Sequence, residues 1–171
     1  MEARVLILMG SDSDWEVMSE ARKALDDLGV GSEIHVSSAH RSPGRTGALA
    51  REAAGRGIRV VICGAGAAAH LAGVVAGESE LPVLGVPLAS SDLKGLDALL
   101  STAQMPAGVP VGTLAIGKAG ARNAGLLAAR ILALADPPLA ARVREQRARM
   151  AHEVEAKDAA LQARLRGDPG A

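Results

Sequence analysis

Aromatic residues are almost absent from this chain: its 171 residues include no Phe, no Tyr and a single Trp, Trp15. Without aromatic rings it lacks the usual stacking platforms for single-stranded nucleic acid. The core has to be assembled from Leu, Val, Ile and Ala. An excess of charge is missing too, since 19 Lys and Arg offset 19 Asp and Glu. That balance argues against a surface built to adhere to nucleic acid or to a membrane. The single cysteine, Cys63, has no partner for an internal disulfide, and its apolar surroundings predict an inert buried thiol. No apolar stretch reaches transmembrane length and the N-terminus shows no signal-peptide pattern, so a soluble, cytoplasmic protein is expected. The His residues have no Cys or carboxylate partners at ligand spacing, so no metal site is expected. No internal repeat or long low-complexity linker divides the chain, and residues 1–171 are expected to form one domain with a real core.

What the sequence does have is a regular alternation of apolar runs and helical patterns. Val5-Leu6-Ile7-Leu8-Met9, ended by Gly10, reads as a strand buried on both faces. A helix follows, with Trp15, Met18, Ala21, Leu25 and Leu28 on its apolar face, Ser13 and Glu16 as a capping box and Gly29 as its stop. Further strands are expected at Glu33–Ser37, Arg59–Cys63, Leu81–Val86 and Val111–Ile116. Helices are expected from Pro43, with Ser42 as cap, to the Gly55/Gly57 stop, then over about Ala68–Ala76, Leu96–Gln104 and Asn123–Ala135. Strands alternating with helices at this spacing imply βαβ units, a parallel sheet and right-handed crossovers. The expected fold is a three-layer α/β, flavodoxin-like sheet of order 2-1-3-4-5, with its core over 4–135. A long C-terminal helix follows at about 137–165. Its Leu139, Val143, Met150, Val154, Leu161 and Leu165 fall within roughly 80° of arc. Such a stripe on a helix long for a domain this size points to packing on another subunit, with packing along its own domain as the alternative. Arg166–Ala171 reads as a frayed tail.

In an open parallel sheet, ligands bind past the carboxyl ends of the strands, where the strand order reverses. Three turns are placed there: Gly10–Asp14, Ser37–Ser42 and Gly64–His70. Each leads into a helix N-terminus, whose free amides and positive dipole end favour an anion. Arg41 adds a planar, permanently charged fork suited to phosphate. Small residues at Gly64–Ala69 let backbone approach a ligand closely. His40, in a turn, is suited to proton transfer. His70, in the first turn of a helix, is suited to hydrogen bonding or to containing the substrate. His35 and His152 are read as structural or solvated.

Four stretches carry a family resemblance. They are Met9-Gly-Ser-Asp-Ser-Asp-Trp15, Ser38-Ala-His-Arg-Ser-Pro43, Gly64-Ala-Gly-Ala-Ala-Ala-His-Leu71 and Gln104-Met-Pro-Ala-Gly-Val-Pro-Val-Gly-Thr-Leu-Ala-Ile-Gly117. In this order they resemble class I N5-carboxyaminoimidazole ribonucleotide mutases of purine biosynthesis. The resemblance spans about Val5–Ala135. It implies that a carboxylate moves from an exocyclic nitrogen to a ring carbon of aminoimidazole ribonucleotide by decarboxylation and recarboxylation. It further implies that Ser11, Asp14 and Arg41 hold ribose and phosphate, with Ser38 beside them. His40 would be the acid/base, and Ala65, Gly66, His70 and Leu71 would line the pocket for the imidazole and the mobile carboxyl. The family works without cofactor or metal and assembles as an octamer, with the Met105–Pro110 loop covering a site at a subunit junction. An ATP-dependent carboxyaminoimidazole ribonucleotide synthetase would act upstream. Two positions depart from the family pattern: Ala67 replaces a glycine and Ala72 a proline. If position 67 needs positive φ, alanine strains the turn there.

Other readings compete. A class II-like carboxylase would use aminoimidazole ribonucleotide and carbon dioxide directly, and the His70-Leu71 pair disfavours it. A dinucleotide enzyme is suggested by Gly64-x-Gly66-x-x-Ala69, but that match follows the third strand and lacks an acidic residue at the end of the next. A non-enzymatic receiver or nucleotide-binding module is suggested by Asp12 and Asp14, but Cys63-Gly64 stand where a phospho-accepting Asp would be.

Overall fold

The computed structural model describes residues 2–166. Five parallel strands form one sheet: β1 (Ala3–Met9), β2 (Gly31–Val36), β3 (Val60–Gly66), β4 (Val83–Leu88) and β5 (Gly112–Thr113). Their order is β2-β1-β3-β4-β5, as the alternation of elements predicts. The helices are α1 (Trp15–Asp26), α2 (Pro43–Glu52), α3 (Leu71–Glu78), α4 (Leu96–Ala103), α5 (Lys118–Ala133) and α6 (Pro137–Arg166). The expected frayed tail lies outside the described residues from 167 on, and Arg166 is the last residue of α6.

Period-two alternation along β1 divides the core into two layers. Val5, Ile7 and Met9 face Met18, Ala21 and Leu25 of α1 and Ala121, Ala124 and Ala128 of α5. Leu6 and Leu8 face the other way, toward Ala50, Cys63, Leu71 and Val75. Alanine on both α1 and α5 lets these helices lie close together, which is how a core without aromatic rings fills its space. Cys63 is fully buried and burial pushes its thiol far up, the inert state expected of it.

Several boundaries differ from expectation. Ser11, not Ser13, is the N-terminal cap: it opens a 3-10 turn over 12–14 and forms a capping box with Asp14, so α1 proper starts at Trp15. Trp15 is 41% exposed rather than part of the core. β3 runs past Cys63 to Gly66, because Gly64, Ala65 and Gly66 pair with Val86, Pro87 and Leu88 of β4. β5 is far shorter than Val111–Ile116. The edge chain leaves the regular ladder after Thr113 but still donates from Leu114 to the Gly85 carbonyl and from Gly117 to the Pro87 carbonyl. Pro87 is thus tolerated inside β4, since its missing N–H faces the side where β5 has ended.

Candidate functional site

The carboxyl ends of β1, β2, β3 and β4 open into one cleft of about 360 Å³. Each strand contributes its following turn. From the β1 turn come Gly10, Ser11, Ser13 and Asp14. The Ser11 amide donates to Asp14 Oδ2 at 2.9 Å, which fixes the carboxylate over the turn. Burial pushes the Asp14 carboxyl above its ordinary value. The amides of Ser11 and Gly10 oppose that push, and the charge of Asp12 adds to it.

The β2 turn supplies Ser38, Ala39, His40 and Arg41. Ser37 anchors it from below: its amide donates to the Met9 carbonyl at 2.8 Å, and its buried hydroxyl meets Thr46 Oγ1 at 2.8 Å. The Arg41 amide donates to Ser38 Oγ at 3.2 Å, and Arg41 Nη2 donates to the Gly10 carbonyl at 3.3 Å. Arg41 therefore bridges the first two turns while its guanidinium stays exposed at the mouth. A cation beside turn hydroxyls is a setting for a phosphate.

β3 supplies the wall of small residues. Ala65 and Gly66 are its last two residues, and the turn closes with the Ala69 amide donating to the Gly66 carbonyl at 3.0 Å. Ala67 and Ala69 both take positive φ, +50° and +41°. This left-handed turn delivers His70 to the N-terminal cap of α3, with Leu71 buried behind it. His70 caps nothing with its side chain. Its Nδ1 lies 2.6 Å from His40 Nε2, and the rings meet edge-on with centroids 4.7 Å apart. Such a contact needs one N–H and one lone pair, so the two facing nitrogens share a single hydrogen between them.

All nine residues singled out in the sequence (Ser11, Asp14, Ser38, His40, Arg41, Ala65, Gly66, His70 and Leu71) border this one cleft. Sequence reasoning missed Ser90, which also borders it. The signal was available in principle: β4 ends at Leu88, so Ser90 lies just past a strand's carboxyl end beside the switch point. The Met105–Pro110 loop is not among the walls. It borders a separate depression over 103–112. Gly64-x-Gly66 lies within β3, not in a strand-to-helix phosphate turn, so the geometry of a dinucleotide fingerprint is not met. Among the described residues, no three His, Cys, Asp or Glu side chains are grouped to hold a metal ion.

Known proteins resemble this chain in sequence and in fold. The chain matches the AIR carboxylase family over residues 4–153. It is 55% identical over 164 residues to the N5-carboxyaminoimidazole ribonucleotide mutase of Mycobacterium tuberculosis, covering 96% of this chain and 92% of that protein. It is 57% identical over 137 residues to the protein of the same name from Pseudomonas aeruginosa, covering 80% and 84%. The crystal structure of Treponema denticola PurE superposes with a TM-score of 0.83 at 29% identity, covering 93% of this chain and 98% of that one. The chain belongs to the AIR carboxylase family.

Proposed function

We propose that this protein is a mutase that converts N5-carboxyaminoimidazole ribonucleotide to 4-carboxy-5-aminoimidazole ribonucleotide in purine biosynthesis. The observation that carries the reading is the His40–His70 contact at 2.6 Å, set against a wall of Ala65 and Gly66 and next to the Arg41 mouth. The names of relatives more than half identical to this chain support it.

Arg41, Ser11 and Asp14 hold the phosphate and ribose, with Ser38 positioning Arg41. The imidazole then lies toward His40 and the small-residue wall. In the first step the bond from the exocyclic nitrogen to the carboxyl carbon breaks, and its electron pair remains on nitrogen. His40 delivers a proton there, giving the amine and carbon dioxide. The ring carbon then attacks carbon dioxide and a carbon–carbon bond forms. The ring proton returns to His40, so the net change is one proton moved from carbon to nitrogen. His70 sets which nitrogen of His40 carries the hydrogen between steps. The small wall lets the bound imidazole lie close against it and displace water there, so carbon dioxide is retained between the two steps. The rearrangement involves no net oxidation or reduction, so the route calls for no redox cofactor.

The protein works in the cytoplasm, downstream of an ATP-dependent synthetase that makes its unstable carbamate substrate. It acts as an octamer in which the Met105–Pro110 loop covers a neighbour's site. Exposed Leu93, Leu96 and Leu100 near that loop support such contacts.

The test is to supply N5-carboxyaminoimidazole ribonucleotide to wild type and to His40→Asn, with aminoimidazole ribonucleotide plus bicarbonate as a parallel substrate. Wild type is expected to form the carbon-carboxylated isomer from the first substrate. His40→Asn is expected to lose about 10²–10⁴-fold in rate. Failure of wild type, or an equally active variant, overturns the reading. Faster use of the second substrate would favour the direct carboxylase.

A further inference from the structure

Two polar wall residues are left unused by the proposed function: Ser13, whose hydroxyl is tied within its own turn by donating to Ser11 Oγ at 2.9 Å, and Ser90. Ser90 follows β4, and the sheet order places β4 on the opposite side of β3 from β1 and β2. Arg41, Ser11 and Asp14 stand on the β2 and β1 turns. Ser90 therefore borders the far end of the cleft from the phosphate end.

Its position is closely set. A Cβ on Gly66 would overlap Ser90 Oγ and come within 2.7 Å of Ser90 Cβ. Gly66 lacks a side chain because Ser90 occupies that space, so the hydroxyl and the Ala65-Gly66 wall form one continuous surface. The loop that carries Ser90 is tied down on both sides. The Ser90 amide donates to the Leu88 carbonyl at 3.1 Å, and Ser91 Oγ donates to Asp97 Oδ2 at 2.7 Å while accepting from the Leu93 amide at 3.2 Å. Yet the Ser90 hydroxyl itself has no hydrogen-bond partner among the described residues. A hydroxyl carried on an anchored loop, exposed in the cleft and uncommitted to protein, is a donor available to a ligand oxygen.

We infer that Ser90 is a substrate-positioning residue whose hydroxyl donates to the migrating carboxyl group at the β3–β4 end of the cleft. The assignment rests on the mutase reading. The carboxyl oxygens are the ligand acceptors that this end must hold, both on the substrate and during the interval when the group is free carbon dioxide. A donor there keeps the carbon facing the ring while the nitrogen–carbon bond is broken. Without it, carbon dioxide escapes more often and aminoimidazole ribonucleotide is released uncarboxylated.

The experiment measures two products from N5-carboxyaminoimidazole ribonucleotide above the enzyme-free blank: the carbon-carboxylated isomer and free aminoimidazole ribonucleotide. Wild type, Ser90→Ala and Ser90→Thr are compared. Ser90→Ala is expected to raise the ratio of released amine to isomer on the order of tenfold, the size of one hydrogen bond to a charged group. Its KM is expected to stay within about twofold, because the phosphate end is untouched. Ser90→Thr keeps the hydroxyl and is expected to restore the ratio. An unchanged ratio in Ser90→Ala, with wild type active, overturns the assignment alone. A wild type that forms no isomer overturns the mutase reading and this assignment together.

Discussion

At the residue scale, Asp14 stands out because the fold works against its charge. Burial raises its carboxyl above the ordinary value even though two backbone amides point at it. A raised value in the folded state means that the ionised folded protein is penalised relative to the unfolded chain. The stability contributed by Asp14 is therefore complete below the ordinary Asp value and is lost as pH rises through the raised one. Asp14→Asn keeps an acceptor for the Ser11 amide and carries no charge at any pH. The variant is expected to unfold at a higher temperature than wild type at neutral pH. The gap should close as the pH falls to the ordinary Asp range of about 4. Thermal midpoints of both proteins across a pH series check this, and a gap that widens in acid refutes it. A carboxyl whose charge costs stability, lining the cleft of the proposed ribose site, is the pattern of a functional rather than a stabilising residue.

At the element scale, the β3–α3 turn decides where the site is strained. Ala67 sits at φ +50° and its side chain is exposed, so the left-handed backbone costs energy with no packing in return. Ala69 is at +41° but is buried, so its methyl group gives something back. Ala67→Gly removes a cost of about 1–2 kcal/mol for the left-handed conformation. It adds about 0.5–1 kcal/mol of glycine flexibility in the unfolded chain. The net expectation is a stabilisation of up to about 1.5 kcal/mol, seen as a higher urea midpoint at constant slope. A lower midpoint would mean that the turn is not strained at this residue. The same turn shows what sequence could and could not give. Apolar runs located the central strands β1, β3 and β4, which are buried on both faces, while the edge strand β2 was marked only by a short alternation and is partly exposed. Their ends were less legible. Gly64–Gly66 has weak strand preference and is extended only because β4 pairs with it, with Met18 packed where a Gly64 side chain would be. Ser11/Asp14 and Ser13/Glu16 both satisfy the capping pattern, and only the 3-10 turn between them selects the first. The converging turns could be read from strand order and small residues. Ser90 was legible only in part, because its place past the strand depends on where β4 stops, and β4 runs to Leu88 rather than to the expected Val86.

At the scale of the whole molecule, the decisive feature is that α6 outruns the body it packs on. Its 30 residues span roughly 45 Å at 1.5 Å per residue. The first turns are anchored: Leu139 is fully buried, Val143 packs against the core and Arg142 donates to the Leu28 carbonyl at 2.8 Å. Farther along, the same stripe continues through Met150, Val154, Leu161 and Leu165, and these are left in the open, with Val154 65% and Leu165 72% exposed. A stripe that keeps its register after its own domain has ended is costly unless another surface covers it. The proposed assembly supplies that surface as further copies of this chain. Val154→Glu combined with Leu161→Glu places two charges on the stripe and leaves every core contact in place. Sedimentation is expected to show smaller species than wild type, while circular dichroism keeps the α/β signature of the folded subunit. Turnover is expected to fall with the assembly, because in the proposed octamer the Met105–Pro110 loop, which does not line its own chain's cleft, would cover a neighbour's. Unchanged mass with unchanged turnover would return α6 to a solvated arm. Loss of mass with full turnover would separate the assembly from the site and leave each cleft complete within its own chain.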